Sequence, residues 1–155
     1  MSSNWDSMVK SVQVKRVVKG SIPNVWAIIS DFENVHLINP YVVSTRILSD
    51  HSRGLHASRR CEMNDNTYVE EKVTTWIENK QLTVQQLHFH AVKESEITIF
   101  LSFVSKTKTE ISFIFKYIRK NGIFGWFEEQ ITLRWFMKRV FNRISQNIEI
   151  QASIP

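Results

Sequence analysis

The sequence predicts an α+β fold in which a curved antiparallel sheet of about seven strands wraps around one long C-terminal helix. Three observations predict it. From Trp126 to Ile150, Leu133, Met137, Val140, Ile144 and Ile148 recur at three- and four-residue steps, widened by Trp135, Phe136 and Phe141, while Arg134, Lys138, Arg139 and Arg143 fall mostly on other faces. That is an amphipathic helix well beyond ordinary globular length. Ahead of it lies a succession of strand-like segments, several alternating apolar with polar residues, separated by turn signals. The sequence offers no second long helix to cover the apolar stripe, so the strands must cover it, and their hairpin-length connections make the sheet antiparallel.

Each element follows from local chemistry. Met1 to Lys10 has no clear period and reads as a tail before one domain over 11–152. Val12, Val14 and Val18 alternate with Gln13, Lys15 and Lys19 as a half-buried strand, with Arg16 on the inward parity. Gly20-Ser21 ends it; Ser21 caps a helix with Pro23 in its first turn, and Val25, Ile28, Ile29 and Phe32 carry that helix to about Asp31. Val35 to Ile38 adds a further helical turn, and Asn39-Pro40 stops it. Strands follow over Val42 to Leu48, His56 to Met63, Thr67 to Ile77, Gln81 to His90, Glu96 to Val104 and Thr109 to Ile118. Asn64-Asp65-Asn66 and Glu78-Asn79-Lys80 are the turns of two hairpins.

Composition narrows the function. The chain has 155 residues, 43% hydrophobic and 23% charged, which suits one soluble domain with one core. Ten Phe and five Trp are a rich aromatic supply that can fill a core or line a pocket. A net charge of +5 permits attraction to anions, but no run of five like charges occurs and no ribonucleoprotein motif is present, so nucleic acid is not an expected partner. One cysteine, Cys61, excludes an internal disulfide, and the N-terminus lacks a signal-peptide core; a cytoplasmic protein is expected. No P-loop, dinucleotide fingerprint, nucleophile elbow or zinc-ribbon spacing is present, and no cofactor is expected.

Several short patterns carry a resemblance: Val18-x-x-x-x-Pro23-x-x-Trp26 at the strand-to-helix entry, Asp31-Phe32 at the helix exit, and Arg59-Arg60-Cys61 followed by Glu71-x-Val73 and Trp76. Asn39-Pro40 is similar to a tryptophan-x-proline region but lacks the Trp. With the element order, these resemble the START-like (SRPBCC) superfamily of helix-grip proteins, in its polyketide cyclase/dehydrase-like branch. The resemblance implies a cavity between the concave sheet and the last helix. There a lipid, polyketide or quinone-like molecule would be bound by a carrier, sensor or chaperone. Two alternatives stay open: a cyclase- or aromatase-like enzyme, and a lipid or quinone transfer protein acting at a membrane.

Within that frame the residues nominate a site. A three-residue turn at Asn64–Asn66 sets Cys61 opposite Val69 and Arg59 opposite Glu71, on the face that also carries Val73. Arg59 and Glu71 are either a ligand anchor or a structural ion pair, since buried charges need partners. His88 and His90 share one strand face, a spacing open to an acid–base group or two metal ligands; no metal is expected, for want of a third ligand fixed by spacing. Arg16, Arg59, Glu71 and His88 are the expected polar contacts, and Val14, Val73, Leu101, Phe113, Phe115, Trp135 and Val140 the apolar walls. In an enzyme, Glu71, His88 and Arg59 would be the catalytic candidates. The aromatic segment Ile123 to Phe127, with Phe124 and Trp126, reads either as a gate that also touches membranes transiently or as a packed lead-in to the helix.

Overall fold

The turn at Asn64–Asn66 fixes the sheet's central hairpin. The Met63 N–H donates to the Thr67 carbonyl at 2.8 Å, Asn66 takes the left-handed backbone (φ 67°), and Cys61 faces Val69 and Arg59 faces Glu71. This register is the one the turn chemistry predicts. The structure is a computed structural model describing residues 8–120 and 126–154, with the last helix in side-chain detail from residue 131. Its strands are β1 (Val9–Lys19), β2 (Val42–Ile47), β3 (Ser58–Met63), β4 (Tyr68–Ile77), β5 (Gln81–Leu87), β6 (Glu94–Ser105) and β7 (Lys108–Ile118). They form one 7-stranded antiparallel sheet in the order β1-β7-β6-β5-β4-β3-β2. β1 begins at Val9, inside the segment read as a tail.

Between β1 and β2 come helix α1 (Ile22–Ile29) and a 3-10 turn (Val35–Leu37). Ser21 caps α1 by accepting from the Asn24 N–H at 3.4 Å, with Pro23 in the first turn. The long helix α2 (Trp126–Ala152) closes the fold. It buries Met137, Val140, Phe141 and Ile148, with Leu133, Phe136 and Ile144 partly buried beside them. Phe141 stacks on Phe113 of β7, centroids 4.9 Å apart and planes 11° apart, which seats the helix on the concave face. At the helix C-terminus, a Cβ on Gly20 would stand 3.0 Å from the Ala152 Cβ, and the φ of +154° suits only glycine, so α2 and the β1–α1 corner meet backbone to side chain.

One expected inward position is corrected. Arg16 pairs with Ile111 and so keeps the inward parity, yet it is exposed and its Nη1 donates to the Lys15 carbonyl at 2.9 Å. β1 is an edge strand, and a long cationic side chain there reaches water round the edge instead of entering the core. Trp135 is 61% exposed, on the flank of the α2 stripe, with the Arg139 guanidinium 5.4 Å from its ring centre.

Candidate ligand cavity

Arg59 and Glu71 face each other on neighbouring strands β3 and β4, and both are buried. Arg59 Nε donates to Glu71 Oε2 at 2.8 Å and Nη2 reaches the same oxygen; Nη1 donates to the Phe32 carbonyl at 3.1 Å. The guanidinium lies 3.9 Å from the Phe32 ring centre, a cation–π contact that uses its face as well as its edge. The other carboxylate oxygen, Oε1, accepts from Gln86 Nε2 at 3.0 Å, and Gln86 Oε1 accepts from the Ser95 hydroxyl at 3.0 Å. A chain of four polar side chains thus crosses β3 to β6 under the helix, and both carboxylate oxygens are engaged. Sequence reading missed Gln86; its parity with Leu82 and Val84 on β5 was the available signal.

Around this chain lies an inner cavity of about 100 Å³, walled by side chains including Ile29, Ile38, Val84, Ile97, Phe113 and Phe141, with Arg59, Cys61, Glu71 and Gln86 among its lining. Its size amounts to a few water volumes at about 30 Å³ each. Burial pushes the Cys61 thiol up to about 12, with the Glu71 carboxylate adding to the effect and Arg59 opposing it, so the sulfur stays protonated and unreactive.

Toward the sheet end that carries the β3–β4 turn, Met63 and Val69 line both this cavity and an outer chamber of about 700 Å³. Aromatic rings dominate the outer chamber: Tyr41, Phe89, Tyr117, Trp135 and Phe136, with Tyr41 and Phe136 edge to face at 5.1 Å. Asn64, Asp65, Thr67, His90, Arg119 and Lys120 supply its polar lining. Tyr117 is 1% exposed, and its hydroxyl has no hydrogen bond of acceptable geometry among the described residues. Arg134, whose Nη1 donates to the Ser11 carbonyl at 3.2 Å, stands near enough for its charge to matter. Burial pushes the Tyr117 hydroxyl pKa up, while the Arg134 and Arg119 charges and a long hydrogen-bonding approach by Arg134 pull it back.

The structure sorts the sequence-nominated residues by depth. Arg59, Glu71 and Phe113 line the inner cavity, and Trp135 lines the outer chamber. Val14, Val73, Leu101, Phe115 and Val140 are buried in the core and line neither, because neighbouring side chains fill the concave face around them. His88 is corrected: β5 stops at Leu87, His88 takes the left-handed backbone (φ 63°), and its ring turns out beside Tyr68 and Glu70 on the convex side. His90 is exposed at the outer chamber. Among the described residues no cluster of three His, Cys, Asp or Glu side chains could hold a metal ion. Phe124 lies outside the described residues, as does the side chain of Trp126.

A bent antiparallel sheet clasping a C-terminal helix over a cavity defines a START-like, helix-grip protein. Residues 9–149 match the model of the family described as polyketide cyclase / dehydrase and lipid transport, and the chain belongs to that family. A START superfamily protein from Mycobacterium smegmatis superposes with a TM-score of 0.76 at 16% identity, over 92% of this chain and 96% of that one. The ZhuI aromatase/cyclase from Streptomyces sp. R1128 gives 0.79 at 14% identity, over 93% of each chain. A protein from Thermus thermophilus gives 0.76 at 14%, over 92% of this chain and 97% of the other. At these identities the likeness is one of fold. No curated protein matches the chain.

Proposed function

We propose that the protein binds one small hydrophobic or amphipathic molecule between sheet and helix and acts as a carrier, sensor or chaperone for it. The observation that carries this reading is the outer chamber of about 700 Å³, a volume ordinary for small-molecule sites. Its aromatic walls favour burial of apolar ligand surface, worth about 25 cal/mol per Å² before the costs of association. No described helix is long and apolar enough to cross a membrane. A lone buried thiol is at home in a reducing cytoplasm, where we place the protein.

The aromatase/cyclase among the similar structures keeps an enzymatic reading in view. Against it stands the engagement of Arg59 and Glu71 with each other, Phe32 and Gln86, contacts a substrate would have to displace or share to use the pair for chemistry. Native mass spectrometry of the protein as purified tests the binding reading. The expected result is a co-purifying species at one per chain, lost on denaturation. The reading fails if the native protein is ligand-free and takes up no hydrophobic probe.

A further inference from the structure

We infer that the solvent-facing side of α2 docks the protein on a membrane surface that carries anionic lipids. This is independent of the interior cavities and goes beyond the binding reading. Charge comes first. Residues 131–148 hold Arg134, Lys138, Arg139 and Arg143 and no carboxylate, against a net charge of +5 for the whole chain. The acidic pair of the helix, Glu128 and Glu129, precedes this stretch, and Glu149, which follows it, accepts from the Lys19 N–H at 3.1 Å. Arg134 turns to the sheet edge, where its Nη1 donates to the Ser11 carbonyl. Lys138, Arg139 and Arg143 are exposed, and none of them has an ion pair with a described carboxylate.

Apolar surface then decides between anionic partners. Three- and four-residue steps set Ile131, Trp135, Lys138 and Arg139 on one side of the helix, away from the side that buries Met137, Val140 and Ile148. Ile131 is 64% exposed and Trp135 61%, one turn apart. The Arg139 guanidinium stands 5.4 Å from the Trp135 ring centre, so a charge and an indole are held side by side. A nucleic acid offers phosphates but no apolar layer for an exposed isoleucine. A bilayer offers both, phosphates at the headgroups and hydrocarbon beneath them, and an amphipathic helix lying in that plane uses the two together. Tryptophan favours this boundary, and long cationic side chains reach from it to the phosphates.

Cosedimentation of the full chain with vesicles tests the surface. Phosphatidylcholine vesicles with about one-quarter phosphatidylglycerol should bind the protein and phosphatidylcholine alone should not, because each cation near an anionic surface is worth about fivefold in affinity. Raising the salt from about 0.1 M to about 1 M should release it, as the screening length falls from about 10 Å to about 3 Å. Lys138→Ala and Arg143→Ala should each weaken binding about fivefold, and Ile131→Ser roughly tenfold, the worth of a partly inserted aliphatic side chain. All three positions are exposed, so the variants should keep the melting temperature of the parent. Brominated acyl chains should quench tryptophan fluorescence more strongly in the parent than in Trp135→Phe; equal quenching puts the indole outside the lipid and overturns the inference. It is also overturned if anionic vesicles leave the protein in solution, or if the three variants bind them as the parent does. A single-stranded oligonucleotide that binds more tightly than the vesicles, with Ile131→Ser leaving that binding unchanged, overturns it too, since the surface then reads phosphate alone.

Discussion

Glu71 carries one negative charge beneath the sheet, and every contact it makes compensates that charge. Replacing it by Gln keeps its shape but leaves Arg59 as a buried cation with no counter-ion. The expected loss is about 3–5 kcal/mol in urea unfolding, the usual result of breaking a buried pair from one side. Replacing both partners by apolar residues, Arg59→Met with Glu71→Leu, should recover most of that loss, because the desolvation of two charges disappears with their attraction. His88→Ala, on the convex surface, should change stability by no more than about 0.5 kcal/mol. A neutral Glu71→Gln would refute this account of the pair. The Arg59–Glu71 opposition was legible because a three-residue turn fixes hairpin register and a register fixes faces. The departure of His88 was not legible. Parity with Gln86 extends β5 indefinitely on paper, and only the left-handed backbone at His88 ends it.

Helix α2 shows where periodicity is informative and where it stops. Its spacing names the buried face: Met137, Val140, Phe141 and Ile148. It assigns Trp135 to the same stripe, since a large aromatic residue on the flank reads as core. In the fold, the helix lies against β1 and α1 at its C-terminal end, where Gly20 and Ala152 meet, while residues 132–136 overlook the outer chamber. A stripe residue is therefore core or wall depending on how far along the helix it sits, and hydrophobicity carries no record of that distance. Substitution separates the two. Phe141→Ala should cost about 3–5 kcal/mol, since it empties the stack on Phe113. Trp135→Ala should cost less than about 1 kcal/mol. Equal losses in thermal or urea unfolding would mean that Trp135 is packed as tightly as Phe141, contrary to its 61% exposure.

At the scale of the whole molecule, packing changes along the described side chains of α2, residues 131–152. At the closed end, the Lys19 N–H donates to Glu149 Oε2 at 3.1 Å, the Thr109 hydroxyl to the Gly20 carbonyl at 2.8 Å, and Asn147 Nδ2 to the Ile38 carbonyl at 2.9 Å. The first and third tie α2 to β1 and to the end of the 3-10 turn, and the second ties β7 to the β1–α1 corner, over a core that holds Trp26, Ile111 and Ile148. Toward the other end of the described helix side chains, from Leu133 to Phe136, the walls border the outer chamber. Segments with fewer buried contacts open locally at lower free energy, so this end is where a ligand has stability to add. Amide hydrogen exchange on the protein saturated with 8-anilinonaphthalene-1-sulfonate should show slower exchange at residues 64–67, 89–91 and 132–136. Residues 22–29 and 145–152 should exchange as in the free protein. Protection rising first or equally at the closed end would mean that the occupant sits against the packed core, and the division of the interior into a packed core and a chamber would be wrong.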